Sequence, residues 1–468
     1  MKSFQVIPGP RALPLVGSLL DYTLFKTYDF KRLYETGLAK YKAFGPVVKE
    51  RIPRIGSNPP ILWIFDPADM KTLYNIKDEF PGRTSHLALE KYRKDKPLLY
   101  SSGGLLPTNG EEWRRLRMSA QKPMLDGNLF AKEFVHVIDK ASLDFVEALK
   151  SKSVWEDILE ELKKHFLEIT TQVVLGTSCK PLENDPEALQ LIRSAMDTNS
   201  SIHKTDMNFR WKLYETKEYA TIRKSQEFIE NMASKCISEK KWQSNPSIFN
   251  AYTQDTTKLS DRDRFTLVAD FLLAGIDTSA YTMAFMLYEL SKNALLQNEL
   301  LLETNRMSNI DAHIMKNFKR KFPLVDGIIQ ENFRMHPISV GVGRTVREKC
   351  QFSGYEIPAG SYVVTQNQVS SRLKAFCPYK PNEFCPDRFT QPHNHQALHP
   401  GLIRPFGFGA RRCIGKKMAE YSLRILLIRL SQAFQMEYVG KYPDGINSVS
   451  NLINEPEYPI SLKLTKRK

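Results

Sequence analysis

The segment Phe406-Gly407-Phe408-Gly409-Ala410-Arg411-Arg412-Cys413-Ile414-Gly415 constrains this chain more than any other feature. Two glycines before the cysteine and one after it leave the backbone free to wrap tightly and to approach a flat partner closely. A helix that begins after Cys413 points its amide donors back at the sulfur, and Arg411 and Arg412 flank it. That setting favours a thiolate, which is what either an iron ligand or a nucleophile requires; an inert cysteine in a Gly-rich turn is the plain alternative.

The other cysteines give Cys413 no partner. Six in 468 residues are too few and too scattered for a disulfide scaffold, which favours a reducing compartment. Cys377 and Cys385 lack the short-range Cys or His of a closed zinc site, so any special cysteine acts alone. Lys and Arg outnumber Asp and Glu by 67 to 52, for a formal charge of +15. Nucleic acid, anionic lipid and an acidic protein are the partners such charge admits, beside a plain solvated basic surface. No arm or reading helix concentrates it, so a nucleic-acid role is not expected. No run of eighteen apolar residues is present, and none precedes Pro8, so the chain is expected not to span a membrane and to carry no presequence.

The chain reads as one mainly α domain, 1–468, with small β-sheets. An extended strap covers 1–10. The regions 11–100 and 338–375 hold the sheets, with strand-like runs at Val47-Val48, at 61–65 and at Tyr362-Val363-Val364-Thr365, the last in small hairpins. The regions 101–337 and 414–434 are mainly helical, with Ile158, Leu162, Phe166 and Ile169 as one apolar face. A short strand near Ile460 closes the chain.

Three further strings break local rules or pair charges. Inside a long helical segment, 260–293, lies Phe271-Leu272-Leu273-Ala274-Gly275-Ile276-Asp277-Thr278-Ser279. A glycine beside an acid and two hydroxyls is a poor helix interior, costing about 1 kcal/mol for the glycine alone. Function is one reading and a kink with back-bonded hydroxyls the other. Glu331-Asn332-Phe333-Arg334 sets an acid and an arginine three apart on one helix face, where they can pair. Trp113 and Arg117 likewise lie one turn apart.

In this order, and with every fixed position of F-x-x-G-x-R-x-C-x-G present, the chain resembles the cytochrome P450 family over essentially its full length. The resemblance implies that fold, a haem b cofactor and Cys413 as the axial ligand of its iron. Thiolate ligation, with its push of electron density towards O–O cleavage, is the known chemistry of that family and comes with the resemblance, not from the residues themselves. The resemblance further implies that Gly275 leaves room for dioxygen while Asp277 and Thr278 organise proton delivery. It places Trp113, Arg117, Arg344 and Arg411 on the haem propionates, and Glu331, Arg334 and Arg388 in a buried network.

Within the family, 41–50, Gly103-Gly104-Leu105 and Trp211-Lys212-Leu213 are similar to the mitochondrial branch, and 83–110 to arthropod ecdysteroid 22-hydroxylases. The implied reaction is C22 hydroxylation of an ecdysteroid precursor, with O2 and electrons from an acidic, adrenodoxin-like ferredoxin and its reductase. The implied place is the matrix face of the mitochondrial inner membrane, by peripheral association. A steroid requires an apolar pocket with few polar groups. The expected walls are Leu105, Leu106, Phe271, Leu272, Val340 and Val342, each equally readable as ordinary core. A broad-range xenobiotic monooxygenase and a non-catalytic haem-binding protein are the competing functions. Vertebrate relatives dock ferredoxin through lysines where this chain has Asp326 and Gln330. The expected docking patch therefore shifts to Arg404, Arg412, Lys416 and Lys417, with Lys319, Arg320 and Lys321 nearby.

Overall fold

The computed structural model describes residues 2–52, 60–208, 210–239, 243–254, 258–307, 309–339, 341–390, 398–399, 401–443 and 445–467. Helices dominate, and side chains stop and start them. Asp126 accepts from the amides of Asn128 and Leu129 at the start of Gly127–Leu149, and Asp157 caps Ile158–Leu175. Pro186 opens Pro186–Met207, Thr216 caps Lys217–Ser238, and Ser260 forms a capping box with Asp263 at the start of Asp261–Ala274. Phe130, Phe134, Ile138 and Phe145 share the buried face of the first of these helices. It packs on the Lys416–Ala433 helix, where Arg429 grips Asp139 through two 2.7 Å hydrogen bonds. Ile158, Leu162, Phe166 and Ile169 are buried, as their spacing predicts.

The expected 260–293 helix is two helices, Asp261–Ala274 and Asp277–Ser291, broken at Gly275-Ile276. Thr278 Oγ1 donates to the Ala274 carbonyl at 3.1 Å, so a side chain takes over at the break. By length and composition 261–291 could cross a membrane, which the count of apolar runs did not anticipate, yet 83% of its most apolar window is buried inside the fold.

The strands Val47–Glu50 and Ile61–Ile64 pair antiparallel. Tyr362–Thr365 is not part of a small hairpin: it runs parallel to Ile61–Ile64 and antiparallel to Gly343–Thr345, so it lies inside a four-stranded sheet. Alternation alone reports a half-buried strand and not its partner. The hairpin in this region is Cys350–Phe352 with Tyr355–Ile357. Near the C-terminus, Leu462–Lys466 joins Phe434–Tyr438 and Val154–Trp155, a larger sheet than the short strand expected there.

Candidate functional site

Cys413 lies between the short turn Gly409–Arg411 and the Lys416–Ala433 helix. Its amide donates to the Phe406 carbonyl at 2.8 Å, closing the Gly-rich wrap. Cys413 is exposed although protein crowds around its sulfur. Burial pushes its pKa up, opposed by a hydrogen bond from the Gly415 amide and by the charges of Arg117 and Arg83. Of the flanking pair, Arg411 donates into the 105–109 loop and Arg412 is exposed, so the cations that weigh most on the sulfur are Arg117 and Arg83.

Trp113 and Arg117 are both buried on one face of the Gly110–Leu125 helix. The Arg411 guanidinium stacks 4.2 Å from the centre of the Trp113 ring. Arg411 donates to the carbonyls of Pro81 at 2.9 Å, Leu105 at 3.4 Å and Thr108 at 2.6 Å, and to Asn109 Oδ1 at 2.7 Å. The fork expected to hold an external carboxylate thus holds the 105–109 loop, because the turn before Cys413 delivers it among backbone carbonyls. Arg344 donates to Gly343 at 2.8 Å and Phe408 at 3.3 Å. Arg117 keeps Nε and Nη2 buried with no partner.

Burial lowers the pKa of Arg117 and Arg344 to about 10 and of Arg411 to about 9, and Arg83, Arg344 and Arg117 add repulsion on Arg411. Asp78, the acid that bears on Arg344 and Arg411, is itself paired with Arg347 at 3.3 Å. Such a group of buried cations fits an anionic ligand that brings carboxylates beside Cys413, as haem propionates would. Arg83 was missed in the sequence, where a lone arginine before a helix carries no motif. Among the described residues no cluster of three or more His, Cys, Asp or Glu could hold a metal ion.

At the helix break Asp277 is buried. One carboxylate oxygen accepts from Asn199 Nδ2 at 3.2 Å and the other has no partner. Burial raises its pKa to about 6, with Asn199 and Lys163 opposing. Asn199 is the second residue that sequence reasoning missed, since it comes from the distant Pro186–Met207 helix. Thr278 is partly accessible beside Ala274, which is exposed within this otherwise buried segment. A side chain at Gly275 would meet Thr170 Oγ1 at 2.7 Å and the Phe271 carbonyl at 2.9 Å. The glycine lets the Ile158–Leu175 helix pack close.

Glu331 and Arg334 form a fully buried bidentate pair at 2.7 and 2.8 Å. Arg388 Nε reaches Glu331 at 3.3 Å, and Arg334 also donates to the carbonyls of Ser371, Pro381 and Glu383. Of the expected pocket walls, Phe271, Leu272 and Leu105 are buried in the main core, Leu106 packs against it, and Val342 is half-buried in the backbone of the sheet edge. Val340 lies outside the described residues. Asp326 is buried against Arg424 at 3.1 Å.

The sequence pattern of the family described as Cytochrome P450 matches residues 7–464. The Drosophila melanogaster protein named cytochrome P450 302a1, mitochondrial, is 35% identical over 480 residues, 100% of this chain and 96% of its own length. An ecdysone 20-monooxygenase of the same organism is 25% identical, over 98% of this chain and 88% of its own. A mitochondrial cholesterol side-chain cleavage enzyme of Oncorhynchus mykiss is 26% identical, over 99% of this chain and 90% of its own.

Proposed function

Because this chain belongs to the cytochrome P450 family and is a haem-thiolate monooxygenase, we propose that it hydroxylates a steroid, an ecdysteroid precursor at C22, with Cys413 ligating the iron of haem b. The observation that carries the cofactor reading is the exposed Cys413 beside an unpaired, buried Arg117. The steroid reading is supported by the 302a1 and ecdysone 20-monooxygenase relatives and by the resemblance over 83–110.

When bound, the haem supplies dioxygen binding and O–O cleavage, favoured by the thiolate. The chain's own residues do the rest. Arg117 and Arg83 hold carboxylates, with Arg344 and Arg411 completing the positive field. Asp277, with a pKa near 6, takes and gives a proton close to neutral pH. Thr278, on the Ala274 carbonyl, offers the hydroxyl through which that proton passes. Phe271, Leu272 and Leu105 keep the surroundings apolar and dry.

Electrons come from an acidic ferredoxin, at the matrix face of the mitochondrial inner membrane. Exposed Leu15, Leu24, Phe25, Leu213 and Tyr214 support peripheral membrane contact. Docking is supported by a cleft of about 550 Å³ whose lining includes Lys316, Lys319, Lys417 and Arg424, on the helix that follows Cys413 and its neighbours. The carbon monoxide spectrum of the reduced protein tests the ligand: a red-shifted Soret band that Cys413→His abolishes is expected. Product analysis with a 22-deoxy ecdysteroid tests the substrate; a product without a new side-chain hydroxyl rejects it.

A further inference from the structure

The loop 101–108 crosses between the two halves of the site. Its Leu105 amide donates to Asp270 Oδ2 at 2.6 Å, on the Asp261–Ala274 helix that leads into Asp277 and Thr278. Its Leu105 carbonyl accepts from Arg411, two residues before Cys413, and its Thr108 carbonyl accepts from the same side chain. Leu105 is therefore bonded on one side to the helix that precedes the proton-delivery pair and on the other to the turn before the thiolate.

Asp270 is held in turn. Arg93, completely buried, donates through Nη1 to Asp270 Oδ1 at 2.5 Å and to the Gly103 carbonyl at 2.9 Å. Its Nη2 lies 3.5 Å from Gln226 Oε1, and Gln226 donates to Thr198 at 3.2 Å. The Leu87–Lys94 helix, the loop and the Asp261–Ala274 and Lys217–Ser238 helices thus meet at one guanidinium, and Gln226 links it onward to the Pro186–Met207 helix. Gly104 adopts φ +95, and a side chain there would sit 2.3 Å from Arg93 Nη1 and 2.7 Å from Asp270. No other residue lets the loop lie against the ion pair. Removing one partner of such a pair leaves a buried charge uncompensated, so the pair is expensive to keep unless position matters.

We propose that Asp270 is a positioning residue that holds Leu105 between the Asp261–Ala274 helix and the turn before Cys413, and so sets the shape of the substrate space. Its effect passes through Leu105, not through contact with substrate. The inference rests on the haem-thiolate reading, which fails separately, in the carbon monoxide spectrum of the unaltered chain.

The test uses the full haem-loaded chain and two iron-binding probes, imidazole and the longer 4-phenylimidazole, followed by spectral titration. Asp270→Asn can satisfy Leu105 or Arg93 but not both. It is expected to weaken 4-phenylimidazole about tenfold while imidazole, the smaller probe, is unchanged. Arg93→Lys keeps the charge beside Asp270 and is expected to fall between the two, which keeps the idea testable should Asp270→Asn fold poorly. Arg264→Gln is the control. It removes a 2.6 Å ion pair to Asp261 at the start of the same helix, nine residues before Asp270. With a 22-deoxy ecdysteroid, Asp270→Asn is expected to raise KM and spread the product positions while the rate at saturation holds. An unchanged probe ratio, or an equal change in Arg264→Gln, overturns the proposal.

Discussion

Asn199 donates to one oxygen of the buried Asp277 at 3.2 Å and leaves the other oxygen with no partner at all. A carboxyl so placed binds its proton more tightly folded than unfolded. Its pKa rises from the usual carboxylate value to about 6, so stability falls as pH rises through roughly 4 to 6. The cost above that window is of the order of 3 kcal/mol. Asp277→Asn is therefore expected to raise Tm at pH 7.5 and to raise it about half as much at pH 5, while coupling of electrons to product drops. Equal Tm gains at both pH values would contradict the shifted pKa.

Thr278→Ala removes the hydroxyl on the Ala274 carbonyl but nothing from the cation group around Cys413. Haem content and the thiolate Soret band should persist, with peroxide released in place of hydroxylated product. Measured peroxide equal to that of the unaltered chain would remove Thr278 from proton delivery.

The Glu331–Arg334 pair is sealed from solvent on both sides. Breaking it by Arg334→Met leaves Glu331 charged and buried, with only Arg388 and the Cys385 amide in support. A loss of about 3 to 5 kcal/mol is expected. Arg388→Met leaves the bidentate pair intact and should cost less; denaturant midpoints of the two variants check the order.

Gly275→Ala drives a methyl group into Thr170, so about 1 to 3 kcal/mol of stability should be lost. Thr170→Ala in the same chain is expected to restore part of it, a coupling that a double-mutant cycle measures directly. Independent effects of the two changes would show that the glycine serves something other than helix contact.

Lys416 and Lys417 keep weak links to Glu420 at 3.7 and 3.4 Å, and Lys417 lines the basic cleft. Reversal of both to Glu should slow reduction by an acidic ferredoxin most at low salt and least at high salt. Stopped-flow reduction at several ionic strengths reads this out; equal rates at low salt would rule the patch out.

What could be read from the string alone followed from spacing. Glycines around Cys413, a step of three from Glu331 to Arg334 and a step of four from Trp113 to Arg117 prescribe a wrap, a pair and a shared face whatever the rest of the chain does. The helical middle was legible for the same reason: Ile158, Leu162, Phe166 and Ile169 repeat at the period of a helix.

Long-range pairing was not legible. Nothing local in Tyr362–Thr365 names Ile61–Ile64 as its parallel neighbour, and nothing near Asp277 names Asn199. Arg411 shows the limit most clearly. Its place two residues before Cys413 is written in the sequence, but its donors went to Leu105 and Thr108, because a buried fork is satisfied by whichever carbonyls the fold brings within roughly 3 Å. The sequence determined which groups carry the chemistry and which neighbours on their own segment they meet. The tertiary structure alone decided their partners across segments, since those depend on closing loops whose entropy and packing no local spacing encodes.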